Sequence, residues 1–219
     1  MGFELGFALS TVPKILSAIG MTLLVAVASC LGAAALGFCL EITRRAGGLA
    51  GLFVRFLIDL IRSTPVLVWL YCLYFILPFY GLRLSALTVG IAGLSFYYSG
   101  YLAEVFKAGI DAIPKGQREA AGALGLGRFD TTIFVIAPQM LRNIAAPMGN
   151  YFVSILKATP YLAVLAVPEM LGHAFDIASE TYRYAEPLTV AGIIFLALAL
   201  AISQGVKLLE RRLAAPTAR

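Results

Sequence analysis

The sequence predicts an all-α integral membrane protein: five transmembrane helices, the amino terminus outside, the carboxyl terminus in the cytoplasm, and one short cytoplasmic helix. Three observations predict it. The chain is 60% hydrophobic and 13% charged, where a soluble domain is about a quarter charged, and its mean hydropathy is +0.88. Apolar runs of bilayer length recur along it. Lys and Arg then fall on one side of those runs.

A spanning helix needs about 20 mostly apolar residues. The first run, 15–40, exceeds a signal peptide's apolar core of about 7–15 residues. Only Glu4 and Lys14 are charged before it, so it is expected to be retained as a span. Residues 47–62 form an amphipathic lead-in, with Arg55, Asp59 and Arg62 on one helical face. Spans two and three are expected at 60–82 and 84–106. A cytoplasmic loop, 107–138, follows. Span four, 143–166, is interrupted only by Lys157. An external loop, 168–186, leads to span five at 187–207. Backbone groups in lipid need partners within the segment, so each run is expected to be helical. Barrel strands would alternate polar and apolar residues, and these runs do not. The whole of 1–219 reads as one transmembrane domain.

With the amino terminus outside, thirteen Lys and Arg lie inside (Arg44, Arg45, Arg55, Arg62, Lys107, Lys115, Arg118, Arg128, Arg142, Lys207, Arg211, Arg212 and Arg219). Three lie outside: Lys14, Arg83 and Arg183. This is the positive-inside bias of membrane proteins. It accounts for the net charge of +5 without nucleic acid as a partner. The outside collects Glu4, Glu169, Asp176, Glu180 and Glu186.

Cys30, Cys39 and Cys72 lie in apolar runs without a C-x-x-C pair, as small hydrophobes do. His173, Asp176 and Glu180 share a helical face. They read as an acidic docking rim or, more weakly, as metal ligands, and no metal site is expected. A phosphate-binding G-x-x-x-x-G-K-[ST] loop is absent, as is any nucleophile–base–orienter set. The chain is therefore not expected to be an enzyme or to hold a cofactor of its own.

The cytoplasmic loop is longer than the roughly 2–8 residues a helix–helix connection takes. Ile113-Pro114-Lys115-Gly116-Gln117 stops one helix, and Gln117-Arg118-Glu119-Ala120-Ala121 starts another. Gly125 and Gly127 end it, and Pro138 closes the stretch before the next span. Such a short, small-faced helix fits a groove of another protein. It also fits an interfacial tie between spans three and four.

Glu119-Ala120-Ala121, three residues, Gly125, nine residues, then Val135-Ile136-Ala137-Pro138 resembles the EAA loop of binding-protein-dependent ABC importer permeases. Val135 and Ala137 depart from the family's Ile and Leu but stay apolar. Arg62-Ser63-Thr64-Pro65, Tyr101-Leu102-Ala103-Glu104 and Lys157-Ala158-Thr159 are similar to motifs of the polar amino-acid (histidine/glutamine/arginine) permeases. There Gly is usual at 63 and Asp at 158. The resemblance covers nearly the whole chain and implies a type I ABC importer permease fold in a bacterial inner membrane.

It further implies two ATPase subunits that hold ATP and Mg, a second permease chain (identical or paralogous) and an external substrate-binding protein. Glu119, Ala120, Ala121, Gly125, Arg118 and Leu124 are the implied coupling residues. The expected substrate pathway comprises Ser63, Thr64, Ser95, Tyr97, Lys157 and Thr159. Pro65 and Pro160 would free the carbonyls of Ile61 and Leu156 there. A lysine within a span contacts either substrate or a structural partner. Tyr71, Tyr74, Tyr97, Tyr98 and Tyr101 offer faces to a cationic group or simply face lipid. Without an acid at 158, a zwitterionic or anionic cargo is favoured over a basic one. The rival readings are an ion-coupled carrier or other transporter, which would show more spans or buried acids, and a membrane scaffold docking a different cytosolic protein.

Overall fold

A computed structural model describes residues 2–214. Arg219, counted among the inside charges, lies outside the described residues. Every element among those residues is helical.

Helices α1 (Leu5–Ser17) and α2 (Ile19–Ala46) meet at Ala18. The expected span 15–40 therefore starts inside α1, and α2 carries the span alone. Ile15 is buried on α1, in a cluster with Met170, Ala174 and Ala191. That packing turns the chain's first helix into a partner of its last two.

Gly47 and Gly48, at φ 76° and 64°, turn the chain into α3 (Gly48–Ser63), since only glycine adopts two successive left-handed conformations at low cost. The expected span 60–82 is not one helix. Pro65 lacks an amide and excludes its predecessor from helical geometry, and Thr64 is extended at φ −104° and ψ 136°. Helix α3 stops there. Helix α4 (Val66–Tyr71), a π-helical turn (Cys72–Ile76) and a 3-10 turn (Leu77–Tyr80) continue at 104° to it.

Helix α5 (Ala86–Asp111) is the central element. Ser85 caps it by accepting from the Thr88 amide at 3.1 Å. It lies so close to α2 that a Cβ on Gly37 would come within 2.9 Å of the Ser99 carbonyl. Small residues give such contact between helices in lipid, where association rests on packing rather than on escape from water. Helix α5 runs past the expected boundary at 106, so the cytoplasmic loop begins within its final turns.

That loop holds α6 (Lys115–Ala123) and α7 (Arg128–Asp130), with a π-helical turn (Thr131–Ile136) leading without a break into α8 (Ala137–Ala158). Pro138, expected as a stop, does not interrupt the chain: the wide turn immediately before it absorbs the missing amide. The expected span 143–166 starts earlier, at Ala137, and leaves α-helical geometry at Thr159–Leu165, a 3-10 stretch begun by Pro160. The expected external loop is itself largely helix, α9 (Met170–Thr181), and α10 (Ala185–Ala214) closes the fold.

Among the described residues two helices are long and apolar enough to cross a membrane, Ile19–Ala46 and Ala185–Arg212. The number rises to four if the pair bent by 104° and the pair Arg128–Leu165 with Met170–Thr181, bent by 41°, each make one span. Length and composition alone do not reach the expected five. Helix α5, at 26 residues, is long enough, but Ser95, Tyr97, Tyr98, Ser99 and Tyr101 interrupt its apolar character.

Candidate functional site

Helix α6 is set off by backbone chemistry at both ends. Pro114, at φ −56° and ψ 138°, precedes it. At its far end Leu126 N donates to Ala121 O and Gly125 N to Gly122 O, both at 3.0 Å. Gly125 stands at φ +77°. This is a Schellman termination, which satisfies the last carbonyls and requires a left-handed residue. Gln139 Nε2 on α8 donates to Gln117 Oε1 at 3.3 Å, and Asn143 Nδ2 donates to Gly109 O at 3.1 Å. These bonds tie α6 to α8 and α8 to α5.

The helix has two unlike faces. Ala121 is 3% exposed and anchors α6 to the rest of the chain. Glu119, Ala120 and Ala123 are exposed on the other side, and Leu124, at the end of α6, is 81% exposed. Of the expected coupling residues, Glu119, Ala120 and Leu124 are thus free surface and Gly125 makes the turn. Ala121 is not on that surface, because helical periodicity points it inward. Arg118 flanks the inward side, where it borders a cavity. Gly127 is ordinary extended backbone and takes no left-handed turn.

Several of the expected pathway hydroxyls are bonded to carbonyls within the chain. Ser95 Oγ donates to Ser29 O at 3.3 Å and packs between α2 and α5. Thr159 is fully buried, and its Oγ1 donates to Leu156 O at 2.9 Å. The carbonyl that Pro160 leaves without its usual amide is thereby satisfied locally rather than offered to a cargo. Thr64 Oγ1 donates to Leu60 O at 2.8 Å in the same manner, and Ser63 is exposed at the end of α3. Lys157 is exposed on the surface of the single chain and has no hydrogen bond or ion pair among the described residues.

Tyr97 joins a group of four tyrosines, three of which the sequence singles out. Tyr97, Tyr98, Tyr101 and Tyr151 pack with ring centroids 5.1–6.4 Å apart. Tyr97 and Tyr101 share a hydroxyl–hydroxyl bond of 3.1 Å, and Tyr98 donates to Ser154 O at 3.1 Å. The Arg62 guanidinium lies 5.5 Å from the Tyr101 ring centre. Tyr98 is buried rather than lipid-facing, and Tyr151, far away in sequence, gave no local signal.

Three acids at the expected cytoplasmic edge, Glu41, Glu104 and Asp111, are paired with arginines. Glu41, 1% exposed, accepts from Arg44 Nε at 2.7 Å and Arg45 Nε at 2.5 Å. Arg44 reaches Glu104 at 2.5 Å and Arg45 reaches Asp111 at 2.6 Å. Arg62 lies 3.9 Å from Glu104. The network joins α2, α3 and α5 and lines a cavity of about 550 Å³.

On the expected outer side, Asp176 and Glu180 of the rim are exposed and His173 is half-buried, while the neighbouring acids are not. Glu169 and Glu186 are buried. Glu186 is paired with Arg183, which also holds Glu4 at 2.7 Å. Glu169 Oε1 caps α9 by accepting from Gly172 N at 2.7 Å, while Oε2 is buried with no partner. Burial pushes this carboxyl up to about 7, against the amides of Leu171 and Gly172 that favour its charge. Glu180 pairs with Lys14 at 3.2 Å and His173 Nδ1 faces the Lys14 carbonyl at 3.1 Å. No three potential ligands converge among the described residues.

Known proteins share both the sequence and the shape. Residues 33–215 match the model of the binding-protein-dependent transport system inner membrane component family. The chain is 37% identical to the probable amino-acid ABC transporter permease protein y4tG of Sinorhizobium fredii, over 94% of this chain and 90% of that protein. It is 30% identical to the glutamine transport system permease protein GlnP of Escherichia coli, over 97% and 99%. A crystal structure of an amino acid ABC transporter with histidines superposes with a TM-score of 0.88 at 31% identity, covering 97% of this chain and 100% of that one. The chain belongs to the family of binding-protein-dependent transport system inner membrane components.

Proposed function

We propose that this chain is the pore-forming subunit of an ATP-driven importer for a polar amino acid or a related small zwitterion. The carrying observation is α6: a short helix held from within by Ala121 and Gln117 that leaves Glu119 and Ala120 free. Glu119 supplies a polar contact, Ala120 permits close approach, Leu124 fills an apolar pocket, and Gly125 sets the angle at which the helix leaves. Relatives named as amino-acid permeases support the cargo class, and Ala158 in place of an acid favours a zwitterion over a basic amino acid.

Two ATPase subunits bind ATP and Mg and each receive one α6. A second permease chain completes the pore, and a binding protein delivers cargo from outside. Closure of the ATPases draws the two α6 helices together and switches the pore between inward-open and outward-open, a rigid-body change of two packed bodies. Five spans follow when α5 is counted with the two long helices, the bent pair Gly48–Ser63 and Val66–Tyr80, and the segment Arg128–Leu165, with α9 outside the membrane. The amino terminus is then outside and the carboxyl terminus inside, in a bacterial inner membrane. Lys157, unpaired in the single chain, faces either the second permease chain or the pathway.

Reconstitution with the ATPase and the binding protein tests this. Cargo-loaded binding protein should stimulate ATP hydrolysis and drive uptake. If no ATPase co-purifies and hydrolysis is indifferent to the loaded binding protein, the proposal fails.

A further inference from the structure

We propose that the cleft between the α6–α7 segment and the cytoplasmic ends of α2 and α5 binds the phosphodiester headgroup of an anionic phospholipid from the inner leaflet. The cleft has a volume of about 490 Å³. Its polar lining is Arg45, Arg118, Arg128, Thr131 and Thr132, with no carboxylate. Ile42, Ile110 and Ile136 supply apolar wall.

The charges are not equivalent. Arg45 is already engaged by Glu41 and Asp111. Arg118 and Arg128 pair with no acid among the described residues, and Thr131 has no side-chain hydrogen bond there. Two uncommitted guanidinium groups beside a free hydroxyl fit the two non-bridging oxygens of a phosphodiester, a charge-assisted geometry that arginine favours. Basic pockets between helices at the cytoplasmic boundary recognise lipid headgroups in this way.

The surroundings favour a lipid over a protein segment. Arg118 is exposed, but it lies one turn before buried Ala121 and lines the cleft, which neither Glu119 nor Ala120 does. Phe129, Ile133 and Phe134 are exposed on the segment that carries Arg128 and the threonines. Exposed aromatic and apolar side chains next to basic ones seat a helix in the headgroup region, and the isoleucine wall can receive the glycerol and first methylenes. A zwitterionic headgroup would bring its own cation beside three arginines and find no acid to receive it.

The test uses the full-length chain, extracted in mild detergent with whatever subunits accompany it. Bound lipid is counted by native mass spectrometry after adding equal phosphatidylglycerol and phosphatidylcholine. Phosphatidylglycerol adducts should dominate. Arg128→Gln should lower them by about five-fold, and Arg118→Gln with Arg128→Gln should bring them to the phosphatidylcholine level. Arg128→Lys should retain much of the preference, which separates loss of the charge from loss of the fold. Arg142→Gln, on α8 outside the cleft, should leave the adducts unchanged, and millimolar inorganic phosphate should not displace them. Equal binding of the two lipids, a preference unaffected by Arg128→Gln, an equal loss in Arg142→Gln, or displacement by free phosphate would each overturn the site.

Discussion

At the residue scale, three positions carry sharp consequences. Glu119 is exposed on α6 and makes no side-chain hydrogen bond or ion pair among the described residues, so Glu119→Arg should abolish ATP-driven uptake while expression and melting temperature stay at wild-type values. Uptake and thermal-shift assays on the same preparation check this, and wild-type uptake would remove Glu119 from the docking surface. Gly125 is held at φ +77° with open space around it. Gly125→Val therefore acts through backbone strain, about 1–2 kcal/mol in the left-handed region. It should lower coupled transport through a displaced α6, visible as faster proteolysis of the cytoplasmic loop. Glu169 sets a pH dependence. The folded carboxyl keeps its proton up to about pH 7, whereas its ordinary value is 4.5. The folded state thus binds more protons within that window, and stability falls as pH rises through it. The melting temperature of the purified wild type should drop between pH 5 and pH 8 by more than that of Glu169→Gln.

At the element scale, the distinction that matters is between helices that pack and helices that present a surface. Ala121 turns α6 inward, so Ala121→Leu should push the helix off its seat, slowing transport and destabilising the cytoplasmic loop. Hydrogen exchange over residues 115–126 reads that change. The arginine–carboxylate network joins α2 to α5, and Glu41→Ala leaves two buried-end guanidinium groups without their shared acid. Such a deletion costs about 3–5 kcal/mol in buried networks, with the lower end expected since Arg45 retains Asp111. A chemical-melt series of Glu41→Ala against Glu41→Gln measures it. Much of this level was readable beforehand. Pro114 and Gly125 are local punctuation, and both ends of α6 fall where those residues demand. The break at Thr64–Pro65 was written in the same chemistry, yet the apolar run across it read as one span, because hydropathy carries no angle. The pairs of Glu41 with Arg44 and Arg45 lie within one helix, whereas Arg44–Glu104 and Arg45–Asp111 form only when α2 and α5 pack.

At the scale of the whole molecule, the all-helical membrane class and the relation to importer permeases were legible from composition, apolar runs and the spacing from Glu119 to Pro138. For the substrate pathway, the sequence leaves two roles open. Ser95, Thr159 and Thr64 satisfy nearby carbonyls, a role a hydroxyl in a helix plays equally well and which sequence does not separate from cargo binding. The claim that organises everything else is that the outer face of α6, and not its buried face, meets an ATPase. In a background lacking Cys30, Cys39 and Cys72, single cysteines at Glu119, Ala120 and Ala121 can be tested for cross-linking to the co-purified ATPase. The account predicts cross-links from Glu119→Cys and Ala120→Cys and none from Ala121→Cys. Cross-linking from Ala121→Cys alone, or from none of the three in an active complex, would contradict it.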